Sequence, residues 1–214
     1  MGRLIVSAQM TMDGAMEQLE GWFDPEGELL ALALSALPAQ SAERSAAERS
    51  ATSPVTGGQT LLKLDSGTAA ALSDAGIGIR ATGPAIGPAG SPVFAFPIVG
   101  GKVNKKQLSG KIVHSGGLAI KAGGTTLVVK RFVIDLDSGF LTARVAGAGV
   151  RIPLLRLGAV TGGVRSSPGL LLLKGVNVRL TATAAQALNQ TFDTDLFEGG
   201  LLMGQATVVA RTGF

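Results

Sequence analysis

From about Val55 to the C-terminus, apolar and polar residues alternate in short runs separated by glycines. A period of two marks a strand with one face buried and the other in water. Segments 60–64, 93–99 and 125–137 carry it, as do the pairs Ile77 with Ile79 and Leu118 with Ile120. The clearest block is Gly110-Lys-Ile-Val-His-Ser-Gly-Gly-Leu-Ala-Ile120. There Ile112 and His114 share one face, Lys111 and Val113 take the other, and Ser115-Gly116-Gly117 turns the chain. Downstream, Leu141, Ala143 and Val145 face one way while Thr142 and Arg144 face the other. Segments 150–160, 170–180 and 201–210 are further strands, the first interrupted by Pro153. Pro97 has no N–H for a ladder, so 93–99 is expected at an edge or a bend.

Two short stretches change period. Asp65 or Ser66 can cap a helix through Ala69, Ala70, Ala71 and Leu72, with Gly76 as its stop. Thr183 with Gln186 fits a capping box for a second helix over 183–191, presenting Ala184, Ala187 and Leu188. Leucines eight apart recur at Leu64 and Leu72 and at Leu180 and Leu188, which suits a weak strand–helix repeat or a coincidence of Ala/Thr-rich sequence. Frequent short strands, glycine turns and the lack of alternating crossover helices predict a mainly β domain over 55–214. The expected form is an antiparallel β-sandwich or open barrel with one or two short helices.

The first 54 residues differ. Residues 1–28 hold a strand candidate at Leu4-Ile5-Val6, then Thr11, Asp13 and Gly14 in a turn. This resembles the opening of the dihydrofolate-reductase-like domain of bacterial deaminase–reductase proteins. Such a domain needs well over a hundred residues, and the family's phosphate-binding glycine loop has no counterpart here, so a reductase fragment is the most that stretch implies. Residues 29–42, LLALALSALPAQSA, have the apolar core, proline and small residues of a signal peptide, although Asp24, Glu26 and Glu28 precede them where positive charge belongs. A short buried helix is the alternative. A joined reading frame, with a reductase start abutting a secreted leader, reconciles the two halves. Residues 43–54 contain Glu43-Arg44-Ser45-Ala46 and Glu48-Arg49-Ser50-Ala51 and read as a linker.

Composition removes several kinds of chemistry. The 214 residues include no cysteine, no tyrosine and one histidine. Disulfides, thiolate zinc sites, cysteine nucleophiles and paired-histidine metal sites are therefore excluded. A net charge of +4 is modest, and the densest bases, Lys102, Lys105, Lys106 and Lys111, read as a solvated loop. With few aromatics to stack on bases, nucleic acid is not an expected partner. No apolar run is long enough to span a bilayer as a helix. Asp135-x-Asp137 and Asp193-x-Asp195 lack a ligand-rich loop and read as turns or strand ends. Neither a P-loop nor a dinucleotide-binding glycine pattern occurs. Ser115 adjoins His114 but would point to the opposite face of a continuing strand, so no Ser–His pair follows from adjacency. The chain is not expected to be an enzyme.

Three motifs point to one family. Val55-Thr-Gly-Gly-x-Thr-x-Leu62, Phe96-Pro-Ile-x-Gly-Gly101 and Gly110-x-Ile-x-His-x-Gly-Gly-Leu118 resemble the HtaA-type (haem-transport-associated) domain of actinobacterial proteins. The resemblance spans about 55–210, and Leu141-Thr142-Ala143 fits a later strand of that domain. It implies a secreted or cell-surface β module that binds haem through a tyrosine assisted by a histidine. His114 matches the assisting position, and with Ser115 it forms the candidate contact for haem or another apolar small ligand. Where the family places its tyrosine, this chain reads Leu72-Ser-Asp-Ala-Gly76. A structural or interaction module at the cell surface, contacting other surface proteins without haem, is the competing expectation.

Overall fold

The computed structural model describes residues 52–88 and 90–213. The readings of 1–28 and 29–42, and of 43–54 up to Ala51, lie outside the described residues.

Among the described residues, eleven strands and two helices follow one another: β1 (Thr52–Leu64), α1 (Ser66–Asp74), β2 (Ile77–Thr82), β3 (Val93–Asn104), β4 (Ser109–His114), β5 (Gly117–Ala122), β6 (Thr125–Asp135), β7 (Phe140–Val145), β8 (Arg151–Val160), β9 (Val164–Ser167), β10 (Leu170–Leu180), α2 (Ala182–Phe192) and β11 (Leu202–Thr212). All strand pairings among them are antiparallel. The expected mainly β, antiparallel architecture with two short helices is present.

The sheet is closed, where the pattern had suggested a sandwich or an open barrel. Its path runs β6-β4-β3-β1-β11-β10-β8-β7 and returns to β6 through the β6–β7 pairing. Closure follows from strand length and bulges. β6 is long enough to pair along both edges, and irregularities at Lys130/Val133 and Leu141/Thr142 let β7 bend between β6 and β8. A closed ring has no free edge among its own strands.

Alternation supplies the interior. Leu62 and Leu64 of β1, Phe94, Phe96 and Ile98 of β3, Phe132 and Ile134 of β6, Val176, Val178 and Leu180 of β10, and Ala206 and Val208 of β11 are all buried. Phe96 and Phe132 meet edge to face, centroids 5.1 Å apart and planes at 80°. An eight-stranded barrel is about wide enough for side chains to fill it, and these side chains occupy the interior.

Several boundaries move. Thr52–Pro54, read as the end of a linker, are strand residues paired with Asn104, Val103 and Lys102. β3 is flanked by both β1 and β4, and Pro97 sits where β4 ends, just before a bulge at Ile98/Gly100. A missing N–H is tolerated there because the neighbouring strand is leaving. Likewise, Pro153 does not interrupt β8: it pairs with Thr142 at a bulge, and its carbonyl accepts from the Thr181 hydroxyl at 2.6 Å. β9, wholly exposed and without alternation, carries no periodic signal.

The helices close over the barrel's surface. Asp65 caps α1, accepting from Thr68 N–H at 3.1 Å, and Gly76 follows in the left-handed region at φ 67°. The Thr68 hydroxyl ties the helix to the Leu202 carbonyl at 2.6 Å. α2 is capped by Thr181, not Thr183, because the Thr181 hydroxyl is the group that reaches Ala184 N–H, at 3.1 Å. Its buried face is Ala184, Ala185 and Leu188.

Candidate functional site

β6 is shared along its length. Its C-terminal part pairs with β4 from Lys111↔Asp135 to Val113↔Val133, and its N-terminal part pairs with β5 from Gly117↔Lys130 to Ala122↔Thr125. On their other edges β4 stays with β3, while β5 pairs with β2. The sheet therefore forks at Ser115 and Gly116.

The local sequence explains the fork. Gly116 has φ 83°, and a Cβ there would run into the Ala85 backbone. A Cβ on Gly117 would collide with the Val129 carbonyl. Arg131, at φ 55°, adopts the left-handed conformation that non-glycine residues seldom take, and its N–H donates to the Gly116 carbonyl at 3.1 Å. Ser115 N–H donates to the Pro97 carbonyl at 3.0 Å. Both sides of the fork are thus held by backbone bonds, which leaves little freedom in where His114 and Ser115 sit.

His114, the last residue of β4, is 3% exposed. Its Nε2 lies 2.7 Å from the hydroxyl of Thr60 on β1, with β3 between the two strands. Nδ1 is a buried side-chain polar atom with no hydrogen-bond partner among the described residues. Burial pushes the imidazole pKa down from 6.5 to about 4, and the Phe132 backbone acts the other way without reaching hydrogen-bond geometry. At neutral pH the ring is uncharged, with one donor and one acceptor, and one of those two roles goes unmet.

The histidine borders two spaces of opposite character. Inside the barrel is a cavity of about 40 Å³ walled by Thr60, Phe96, Leu118, Phe132 and aliphatic residues. Outside, a groove of about 620 Å³ runs along the fork past His114, Ser115 and Gly116. Its remaining wall carries Lys130, Arg131, Arg144 and Arg151, all exposed. Sequence reading paired His114 with Ser115 and missed these four bases and Thr60. Arg144 was visible on the outward face of its strand. Only the strand register reveals that Lys130 and Arg151 lie beside it.

Other candidates resolve into structure. Leu72 and Ser73, from the segment matching the family's tyrosine position, line a separate hollow of about 210 Å³ with Ile77 and Ile79. They do not share a hollow with His114. Asp135 takes the N–H groups of Asp137 and Ser138 at 3.1 and 3.2 Å and pairs with Lys111 at 3.2 Å. Burial works to raise its pKa, but the Ser138 N–H, Lys111 and the Asp137 N–H outweigh that and lower it. Asp137 accepts from Gly110 N–H at 3.0 Å. Both carboxylates therefore stitch a turn. Lys105 of the loop cluster reaches the Ser167 carbonyl at 3.1 Å. No group of three or more His, Cys, Asp or Glu able to hold a metal occurs among the described residues. Nor is any helix among them long and apolar enough to cross a membrane.

No family model matches the sequence, and no curated protein matches it either. Among solved structures, the C-terminal domain of HtaA from Corynebacterium glutamicum is similar, with a TM-score of 0.56 and 15% sequence identity. The match covers 75% of this chain and 99% of that domain. At that identity the likeness concerns the fold, and the described β domain is HtaA-like in fold.

Proposed function

We propose that the β domain is a non-catalytic ligand-binding module of the HtaA type, working at the cell surface or outside the cell. It takes haem or a similar flat apolar molecule in the groove beside His114. The observation that carries this reading is the position of the imidazole. It is uncharged at neutral pH, keeps an unpartnered nitrogen, and stands between an apolar barrel interior and an open groove.

The residues present fit such a ligand in part. A cavity of about 40 Å³ is far too small for a porphyrin, whereas a groove of about 620 Å³ has room for one. Haem would bring an iron centre that takes an axial ligand from the protein. Neutral imidazole suits that role. Here the Nε2 atom is engaged by Thr60, so ligation would require that bond to open or Nδ1 to serve.

A second reading is a surface interaction module without haem. It draws on the same Thr60–His114 bond and on the complete lack of tyrosine. Titrating haemin while following the Soret band separates the two. The ligand reading expects a saturable Soret shift for wild type and an altered spectrum for His114→Ala. Identical spectra for the two proteins would remove His114 from the site, and no shift for either would leave the interaction module.

A further inference from the structure

Directly opposed residues on adjacent antiparallel strands are close side-chain neighbours, and like charges placed there destabilise the sheet. Beside the fork, this barrel sets three bases in one such row. Lys130 on β6 opposes Arg144 on β7, and Arg144 opposes Arg151 on β8. Arg131 follows Lys130 and lines the same groove. Among the described residues, no Asp or Glu lines it. Burial, then the charges of Arg144 and Arg131, lower the Arg151 pKa, so these guanidiniums act on one another.

The arrangement is also partly held in place. Arg151 Nη1 donates to the Thr142 hydroxyl at 2.9 Å and to the Thr142 carbonyl at 3.3 Å, leaving other guanidinium N–H groups for a ligand. The Arg131 backbone is held by its bond to the Gly116 carbonyl, which sets where its side chain leaves the strand. At the same groove stands His114, buried and with Nδ1 unmatched. Opposed bases of one sign are unfavourable in isolation. A ligand with negative charge offsets the repulsion.

We propose that the groove at the sheet fork is a binding site for a small molecule bearing two or more carboxylate or phosphate groups, held by Lys130, Arg131, Arg144 and Arg151. The bases converge on one concavity and do not run as a stripe, which suits a compact ligand better than a nucleic-acid strand. This inference goes beyond the haem reading and does not rest on it. It needs only the charges and the register that gathers them.

The test is calorimetric titration of the full chain with inorganic pyrophosphate and, separately, with citrate at low ionic strength. Saturable binding to at least one of them is expected, weakening as salt is raised. The double variant Lys130→Gln/Arg144→Gln should bind about tenfold more weakly or worse, and the exposed Lys121→Gln, outside the groove, should bind like wild type. Because the double variant removes like-charge repulsion, it should melt no lower than wild type. Nitrogen NMR of the single histidine should show its resonances move on titration. Absence of saturable binding to both probes, or equal binding by wild type and the double variant, would overturn the proposal. Binding only to vesicles of anionic phospholipid would overturn it too, since the site would then read a membrane surface. A haemin titration has a separate optical readout, so either result there leaves this one standing.

Discussion

His114 should make the stability of this domain depend on pH between about 6.5 and about 4. The perturbation is a drop from about pH 7.5 to about pH 5, where an ordinary histidine gains a proton and ordinary carboxylates have barely begun to. In the folded state the imidazole titrates at about 4, against 6.5 when exposed. Between those values the unfolded chain binds a proton that the native barrel refuses, so stability falls as pH falls. The contribution is complete above 6.5, declines through the window, and levels off below 4 when both states are protonated. The loss is about 2 kcal/mol between pH 7.5 and 5, and about 3 kcal/mol over the whole interval. Urea unfolding at several pH values measures it directly, with His114→Leu as the reference. Wild type should lose stability along this curve, while the variant stays nearly flat over the same range. Parallel curves for the two proteins would refute the assignment, as would a native His114 NMR midpoint near 6.5.

Three further outcomes follow from the same barrel. Thr60→Val keeps the shape but strips Nε2 of its partner, and should cost about 1–3 kcal/mol in chemical denaturation, with Thr60→Ser recovering most of it. Phe132→Ala removes one ring of the edge-to-face pair with Phe96 and opens the small interior cavity, for a loss of about 3–5 kcal/mol in thermal or urea unfolding. Lys111→Ala breaks the ion pair with Asp135, but the lysine side chain is 62% exposed. Its loss should therefore change stability by less than about 1 kcal/mol, and less still in high salt.

The strands were legible because half-burial writes period two into the chain. Phe94, Phe96 and Ile98 alternate with less buried neighbours, and Ile112 and His114, which the pattern put on one face, are both buried. Glycine turns and the Asp65 cap were readable for the same reason: each is a local conformational requirement met by a local residue. Strand β9 was not, because it buries nothing. The second helix cap was misplaced by two residues, since Thr181 and Thr183 offer the same hydroxyl and only the turn geometry chooses between them.

The stretch around His114 thus carried its own strand, turn and burial in the residues themselves. Which groups stand around it is a different matter. Thr60 lies 54 positions away, and the four bases of the groove come from three different strands. Register between distant segments depends on bulges, on closure of the barrel and on the fit of its interior, none of which a local period encodes. Sequence alone determined that this chain makes short antiparallel strands, with its one histidine on the same face as Ile112. Tertiary structure decided that, among the described residues, the Nδ1 of this histidine has no hydrogen-bond partner and that four bases gather in the groove beside it.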